Sequence, residues 1–432
     1  MKRLRGLNAL VFDAVDGTTR LVERTHAAVA ARSLRRFAPV EPLATPAAAI
    51  NAVSGGVAAG VYASIRLVNG LVEHATDAGF EIVEAAGAKP PSITTPLRSD
   101  AAGSFSWWVD HAQGALNGFI GDRLGERANG LDLGMSVRHD GAEVALEPAA
   151  LSAALAPISR KLCVFVHGLS CTEWSWSFEA ERFHGDPAAT FGSLLRRDLG
   201  YTPVLVRYNS GRHVSENGRR LSELLAELVA AYPDELDEIV LVGHSMGGLV
   251  ARSAAHYGST ASAPWARRLR HVFCIGSPHL GAPLEKATHL LSRVLRAFDT
   301  AGTQVPGEIL EGRSAGIKDM RFGYTVDEEW QGEDPEAVLH DNRHDLPFVD
   351  AVGYYFIAGT ISHDPLHPLG QLFGDLLVRL PSASGFAPEP ARRLKFRSGR
   401  VFSGLHHFDL VNHPDVYDVL RRCLEQAPRL AG

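Results

Sequence analysis

From Leu162 onward, short apolar runs alternate with stretches whose apolar residues recur at helical spacing. Leu162 to Val166, Thr202 to Arg207, Ile239 to Val242, Val272 to Ile275 and Tyr354 to Ala358 read as buried strands. Between them Leu221, Leu224, Leu225, Leu228 and Val229 fall at i, i+3, i+4, i+7 and i+8, which places them on one helix face turned to a core. Strands that are apolar throughout and alternate with amphipathic helices predict a mostly parallel central sheet with helices on both faces. Ahead of them, Met135 to Arg138, the turn His139-Asp140-Gly141 and Ala142 to Leu146 read as an antiparallel hairpin opening that sheet.

Upstream the pattern changes. Leu10 to Ala31 and Val57 to Ala75 read as helices joined through the Pro42 to Pro46 turn, and Leu116 to Leu124 as another. Pro42 to Ile65 carries no charge and contains Gly56-x-x-x-Gly60. Its Ala, Gly, Ser and Asn content gives a weak drive for membrane insertion, so it is expected to pack on a neighbouring helix, with a surface-bound or spanning segment as the alternatives. Pro90-Pro91-Ser92 is linker-like, and Trp107-Trp108 lies where a bridge to the rest of the chain belongs. The expected organisation is a helical N-terminal extension over 1–134 and a catalytic domain over 135–432 with an insertion at about 284–350. That insertion is longer than a crossover needs. Leu290, Leu291, Val294, Leu295 and Phe298 give it an amphipathic face, suited either to a lid or to ordinary packing on the sheet.

Candidate chemistry centres on Gly243-His244-Ser245-Met246-Gly247, set between the apolar run Ile239 to Val242 and a helix-like stretch closing at Gly258. Strand, sharp turn and helix with glycine two positions either side of a serine make a turn that exposes the hydroxyl above the sheet edge. Ser245 is therefore the candidate nucleophile. An oxyanion hole needs two backbone N–H groups, one after the nucleophile and one from the first crossover loop; Met246 and Leu169, in His167-Gly168-Leu169, are assigned.

A serine nucleophile also needs a base and an acid, and where the serine sits on such an elbow the acid and then the His usually follow it in the chain. Asp375, on a turn just before Leu376-Leu377-Val378, is the preferred acid, with Asp364 as its rival. His407 is the preferred base, with His406 and His413 as neighbours; its unperturbed pKa near ~6.5 suits proton transfer at neutral pH. His167, Trp174, His244, Leu291 and Leu295 are the candidate pocket residues, and Trp176 is either a pocket or a packing residue.

Together with Gly276-Ser277-Pro278-His279-Leu280-Gly281-Ala282-Pro283, these motifs resemble serine lipases and esterases of the α/β-hydrolase superfamily. The likeness is greatest to the GPI inositol-deacylase-like and triacylglycerol-lipase-like branches, where Thr usually stands at the place of Ser277. It covers about Leu162 to Leu424; residues before about Asp140 resemble nothing in that family. The resemblance implies an α/β-hydrolase fold and an ester substrate: a lipid, a storage polyester or a small metabolite. The expected activity is that of a serine carboxylic-ester hydrolase working through an acyl-enzyme. The same triad would serve an acyltransferase or thioesterase, and a non-catalytic lipid- or granule-surface binding protein is the reading from another class.

Composition narrows this further. The 432 residues are 45% apolar with a formal charge of -6, which leaves no nucleic-acid footprint. Four scattered cysteines do not make a disulfide framework and are read as thiols. Asp13 and Asp16 interrupt the apolar stretch after Met1-Lys2-Arg3-Leu4-Arg5, so a cytoplasmic protein is expected, with peripheral lipid-surface contact as an added possibility. His363 and His367 flank Pro365, which spoils the helix that would pair them as metal ligands. The reaction needs no metal or cofactor.

Overall fold

The computed structural model describes residues 101–282, 314–332, 342–344, 346–360, 375 and 377–426, with isolated positions at 5, 6, 9 and 12; for 101–108 and 391 it describes the backbone only. The expected helices at Leu10 to Ala31 and Val57 to Ala75, the Pro42 to Ile65 segment, the Trp107-Trp108 side chains, the apolar face with Leu291 and Leu295, and Asp364 lie outside the described residues.

The chain divides into two compact units. In the smaller, Asn129 Nδ2 donates to the Gly6 carbonyl at 3.2 Å and the Leu131 N–H donates to Asn129 Oδ1. The larger takes in α1 (Ala101–Glu126) up to Gly125 and everything described from Asp132 on.

In chain order the larger unit runs α1, β1 (Met135–His139), β2 (Ala142–Glu143), α2 (Pro148–Leu155), β3 (Lys161–Val166), α3 (Ala180–His184), α4 (Phe191–Leu199) and β4 (Thr202–Tyr208). It continues with α5 (Val214–Ala231), β5 (Glu238–His244), α6 (Met246–Thr260), β6 (Leu269–Ile275), α7 (Ala315–Phe322), β7 (Gly353–Thr360), α8 (Leu380–Ala383), β8 (Ser398–Ser403) and α9 (Pro414–Glu425). The described strands form one eight-stranded sheet of order β2-β1-β4-β3-β5-β6-β7-β8. Pairing is parallel from β4 to β8 and antiparallel at β1–β2 and β1–β4. The expected hairpin is shorter than its apolar pattern, since β2 holds only Ala142 and Glu143, both exposed.

Burial follows from the strand composition. Leu162 to Val166 and Ile239 to Val242 are fully buried because helices cover both faces. On one face Val164, Leu241 and Val272 pack with Leu151, Leu221, Leu225 and Leu249. On the other, Phe165, Val242 and Phe273 pack with Phe191, Leu195, Val416 and Leu420. The Leu221 to Val229 stripe is thus core, as its spacing predicts.

Strand order reverses at β3: the chain steps outward to β4 and then returns past β3 to β5. Crevices in open α/β sheets form at the carboxyl ends of strands flanking such a switch point. Here those ends carry His167-Gly168-Leu169 and Ser245.

The boundary expected at 134 does not separate α1 from the sheet. Arg207 on β4, 1% exposed, donates to Asp110 of α1 at 2.8 and 3.0 Å and to Glu173 at 2.5 and 2.6 Å. Breaking such a buried ion cluster strands a charge in low dielectric, which ties α1 to the sheet. The helix is kinked at Ile120 (φ -131°, ψ 18°). The carbonyls flanking the kink are taken up by side chains: Gly118 accepts from Ser314 Oγ and Gly121 from Asn209 Nδ2.

Candidate active site

At the end of β5 the backbone of Ser245 takes φ 53°, ψ -123° before α6 begins at Met246. A non-glycine residue there is strained, and the strain is held by the Ser245 N–H, which donates to the Ile275 carbonyl at 2.7 Å. Both flanking glycines are required by contact. A Cβ on Gly243 would collide with the Gly247 carbonyl, and one on Gly247 with the backbone oxygens of Val166 and His167. This is the expected strand–turn–helix elbow, and Met246, as first residue of α6, presents an N–H without an intrahelical acceptor.

His407 stands on the loop after β8, and Asp375 comes from the segment between β7 and α8. His407 Nδ1 lies 2.8 Å from Asp375 Oδ2, and both side chains are nearly fully buried. Asp375 is itself fixed: Oδ1 accepts from the Leu377 N–H at 3.0 Å and the Val378 N–H at 2.8 Å, and its carbonyl accepts from the His407 N–H at 3.2 Å. Turn N–H groups stabilise an ionised carboxylate, which in turn sets the His407 tautomer with its proton on Nδ1 and its lone pair on Nε2. The neighbouring histidines are otherwise occupied. His406 is exposed, and His413 Nδ1 accepts from the Asp415 N–H to cap α9.

Ser245, His407, Gly168, Leu169 and His244 line one cleft enclosing about 480 Å³ and open to solvent. Pro278, Ala282, Met320, Val378 and Phe408 give it an apolar wall. The loop bearing Leu169 is shaped by Ser170, at φ 60°, whose N–H donates to Ser210 Oγ at 3.0 Å, and by the Cys171 N–H, which donates to the Gly168 carbonyl. Cys171 also lines the cleft, but burial pushes its thiol up to about 12, so it supplies no thiolate.

Of the expected pocket residues, His244 is on the cleft and two others are not. His167 is buried behind it, stacked on Tyr208 at 4.3 Å, with Nδ1 2.9 Å from the Gly168 carbonyl and Nε2 accepting from the Tyr208 N–H. Burial lowers its pKa to about 3, so it stays neutral. Trp174 turns away and donates from Nε1 to Asp110 at 3.1 Å, while Trp176 packs in the core against Phe165 and His244. The sequence reading missed Asp110 and Glu173. The signal was Arg207: a cation inside an otherwise apolar strand must have carboxylate partners.

Among the described residues no group of three His, Cys, Asp or Glu side chains is placed to hold a metal, and no helix is long and apolar enough to cross a membrane.

The elbow on β5, at the switch point of a mostly parallel eight-stranded sheet, gives this chain an α/β-hydrolase fold. Within that class, residues 206–338, which include the elbow, match the PGAP1-like alpha/beta domain. The phospholipase A(1) DAD1, chloroplastic, of Arabidopsis thaliana is 30% identical over 154 residues, covering 33% of this chain and 33% of that protein. The chain thus matches about a third of the length of that relative. The mature Bacillus licheniformis lipase BlEst2 superposes with a TM-score of 0.39 at 18% identity, over 62% of this chain and 96% of its own. The RedJ thioesterase from the prodiginine pathway of Streptomyces coelicolor gives 0.36 at 17%, over 65% and 94%.

Proposed function

We propose that the protein is a serine carboxylic-ester hydrolase acting through an acyl-enzyme. The observation that carries this reading is the buried 2.8 Å contact of His407 with Asp375, on the same cleft as the elbow serine. Ser245 Oγ attacks the ester carbonyl as His407 Nε2 takes its proton. Asp375 holds the imidazole by Nδ1 and stabilises the imidazolium that forms. The Leu169 and Met246 N–H groups receive the oxyanion. His407 then protonates the departing alkoxide. In deacylation it takes a proton from water, the hydroxide adds to the acyl carbonyl, and Ser245 leaves with that proton as the carboxylic acid is released.

The apolar wall of Pro278, Ala282, Met320, Val378 and Phe408 suits an acyl chain better than a charged acid. The similarity to a protein named as a phospholipase A(1) supports a lipid ester as the substrate. A cytoplasmic site of action, with contact to a lipid surface, fits that substrate.

Labelling by a fluorophosphonate tests the mechanism, because only an activated serine reacts. Wild type labels and Ser245→Ala does not; equal labelling of the two would remove Ser245 from its role. A p-nitrophenyl ester panel from acetate to palmitate then reads the acyl preference, which is expected to favour medium and long chains.

A further inference from the structure

A second cavity, of about 390 Å³, opens beside α6 away from the nucleophile cleft. Among the described residues, its wall carries three arginines, Arg252, Arg343 and Arg392, two histidines, His279 and His344, and a single carboxylate, Glu329. That carboxylate is already engaged. Glu329 Oε2 accepts from the Thr325 and Val326 N–H groups, and Oε1 accepts from the His344 N–H at 2.8 Å. Its charge acts on Arg252 through space, while its oxygens are taken up by backbone N–H groups.

Two buried donors on this wall lack an acceptor. Arg252 Nη1 lies 3.0 Å from His279 Nδ1. A guanidinium can only donate, so Nδ1 accepts and the ring proton of His279 sits on Nε2. His279 is 2% exposed, and its Nε2 has no hydrogen-bond partner; neither does the buried Arg252 Nε. Burial, then Arg252, hold His279 well below the usual histidine range, in keeping with a neutral ring that donates from Nε2. The Arg252 guanidinium is steadied over the Phe348 ring at 5.3 Å. Leaving a buried N–H unpaired is costly, and costlier on a charged group, so the wall is incomplete without an acceptor that bears negative charge.

We propose that this cavity binds a phosphate group, held by Arg252 and His279 with Arg392 at its rim. Tetrahedral phosphate offers several acceptor oxygens to donors arriving from different elements, here α6, the loop after β6 and the 390s turn. A flat carboxylate matches one guanidinium fork. The cavity is open to solvent, so a group esterified to the phosphate can extend out of it. Arg252 stands seven residues beyond Ser245 on one helix, about 10 Å along its axis. His279 adjoins Pro278 on the acyl cleft wall. If the chain hydrolyses esters as proposed above, a phosphorylated substrate would span the two cavities. Phosphate binding itself does not depend on that reading.

The test is calorimetric titration of the full chain, at constant ionic strength in chloride, with inorganic phosphate, glycerol 3-phosphate and glycerophosphocholine. Saturable binding of at least one is expected. Arg252→Gln should weaken it tenfold or more. Arg392→Gln, at a half-exposed position, should weaken it severalfold with an unchanged melting temperature, which keeps the test valid if the Arg252 variant does not fold. Tighter binding of the diester identifies a lipid headgroup, and tighter binding of inorganic phosphate or the monoester identifies a free phosphate or phosphomonoester. No saturable heat with any of the three, or binding undiminished in Arg392→Gln and in folded Arg252→Gln, would overturn the proposal. Because the readout is binding, inactivity on esters would leave this result standing.

Discussion

His244 Nε2 lies 3.1 Å from the backbone carbonyl oxygen of His407, with the two rings 4.7 Å apart. A carbonyl only accepts, so His244 keeps its proton on Nε2. Burial, and then His407 itself, hold His244 well below the ordinary histidine pKa, so it is a neutral donor. His244 therefore fixes the backbone that carries the proposed base. His244→Gln, which retains an N–H donor, should keep kcat within about threefold. His244→Leu should lose roughly tenfold, the worth of about one buried hydrogen bond. A Leu variant with wild-type kcat on a p-nitrophenyl ester would reduce His244 to a packing residue.

Ser245→Ala and His407→Ala should each lower ester kcat by roughly 10³-fold or more with the fold intact. His406→Ala should keep most activity, because its side chain is exposed and its contacts with Asp409 are made by its backbone N–H and carbonyl. Retention of a tenth of activity by purified Ser245→Ala would dispose of the triad.

Asp375→Asn separates orientation from packing. The amide oxygen can still accept from the Leu377 and Val378 N–H groups, which turns its NH2 toward His407 Nδ1. The ring would then carry its proton on Nε2, facing the serine it should deprotonate. Loss of about 10³- to 10⁴-fold in kcat is expected with little change in melting temperature. A drop in stability with activity preserved would make Asp375 a structural turn residue.

The central strands β3, β5 and β6 were legible because their short apolar runs are buried on both faces, as Leu162 to Val166 shows. The elbow was legible because two backbone contacts leave no room for a Cβ at Gly243 and Gly247. His407 and Asp375, the proposed base and acid, were preferred in sequence over His406 and Asp364, but the burial of His407 against Asp375 is a tertiary fact that no spacing shows. His167 and Trp174 misled because proximity to the oxyanion loop in sequence does not set which way a side chain turns. Helix α1 was assigned to the wrong unit since its anchor is a polar one, Asp110, whose partner Arg207 lies 97 residues away.

Stability should fall as pH drops from 7 to 5. Burial lowers His167 to about 3 and His271 to about 4, against about 6.5 in an unfolded chain. Below 6.5 the unfolded state therefore binds protons that the folded state refuses, so the stability present above that value is lost as pH falls, by up to about 1.4 kcal/mol per unit for each group. His244 and His279 act in the same direction. Asp319 and Glu329, raised by burial, oppose it. Four lowered histidines stand against these two carboxylates, so a net loss of stability is the expected trend. Urea midpoints at pH 7.5, 6 and 5 measure the slope; a flat series would mean that these rings open to solvent in the native state.

Helix α1 is seated tightly against the loop that carries Leu169, the proposed oxyanion donor. A Cβ on Gly118 would meet the Ser170 N and Cα at 2.8 Å as well as its hydroxyl, and Ser170 adjoins Leu169. Backbone cannot step aside as a side-chain tip can, so Gly118→Ala must push the loop or the helix by a fraction of an ångström. A displacement of about 1 Å at a catalytic group can cost 10²-fold in rate. Gly118→Ala is therefore expected to lower kcat by about 10- to 100-fold with a small change in KM, even though alanine favours the helix by nearly 1 kcal/mol. Gly125→Ala is the matched control. The nearest atoms to its Cβ would belong to the guanidinium end of Arg212, a partly exposed side chain that can shift while keeping its ion pair with Asp132, so kcat should stay near wild type. Equal activity of the two variants would show that α1 packs beside the oxyanion loop without positioning it.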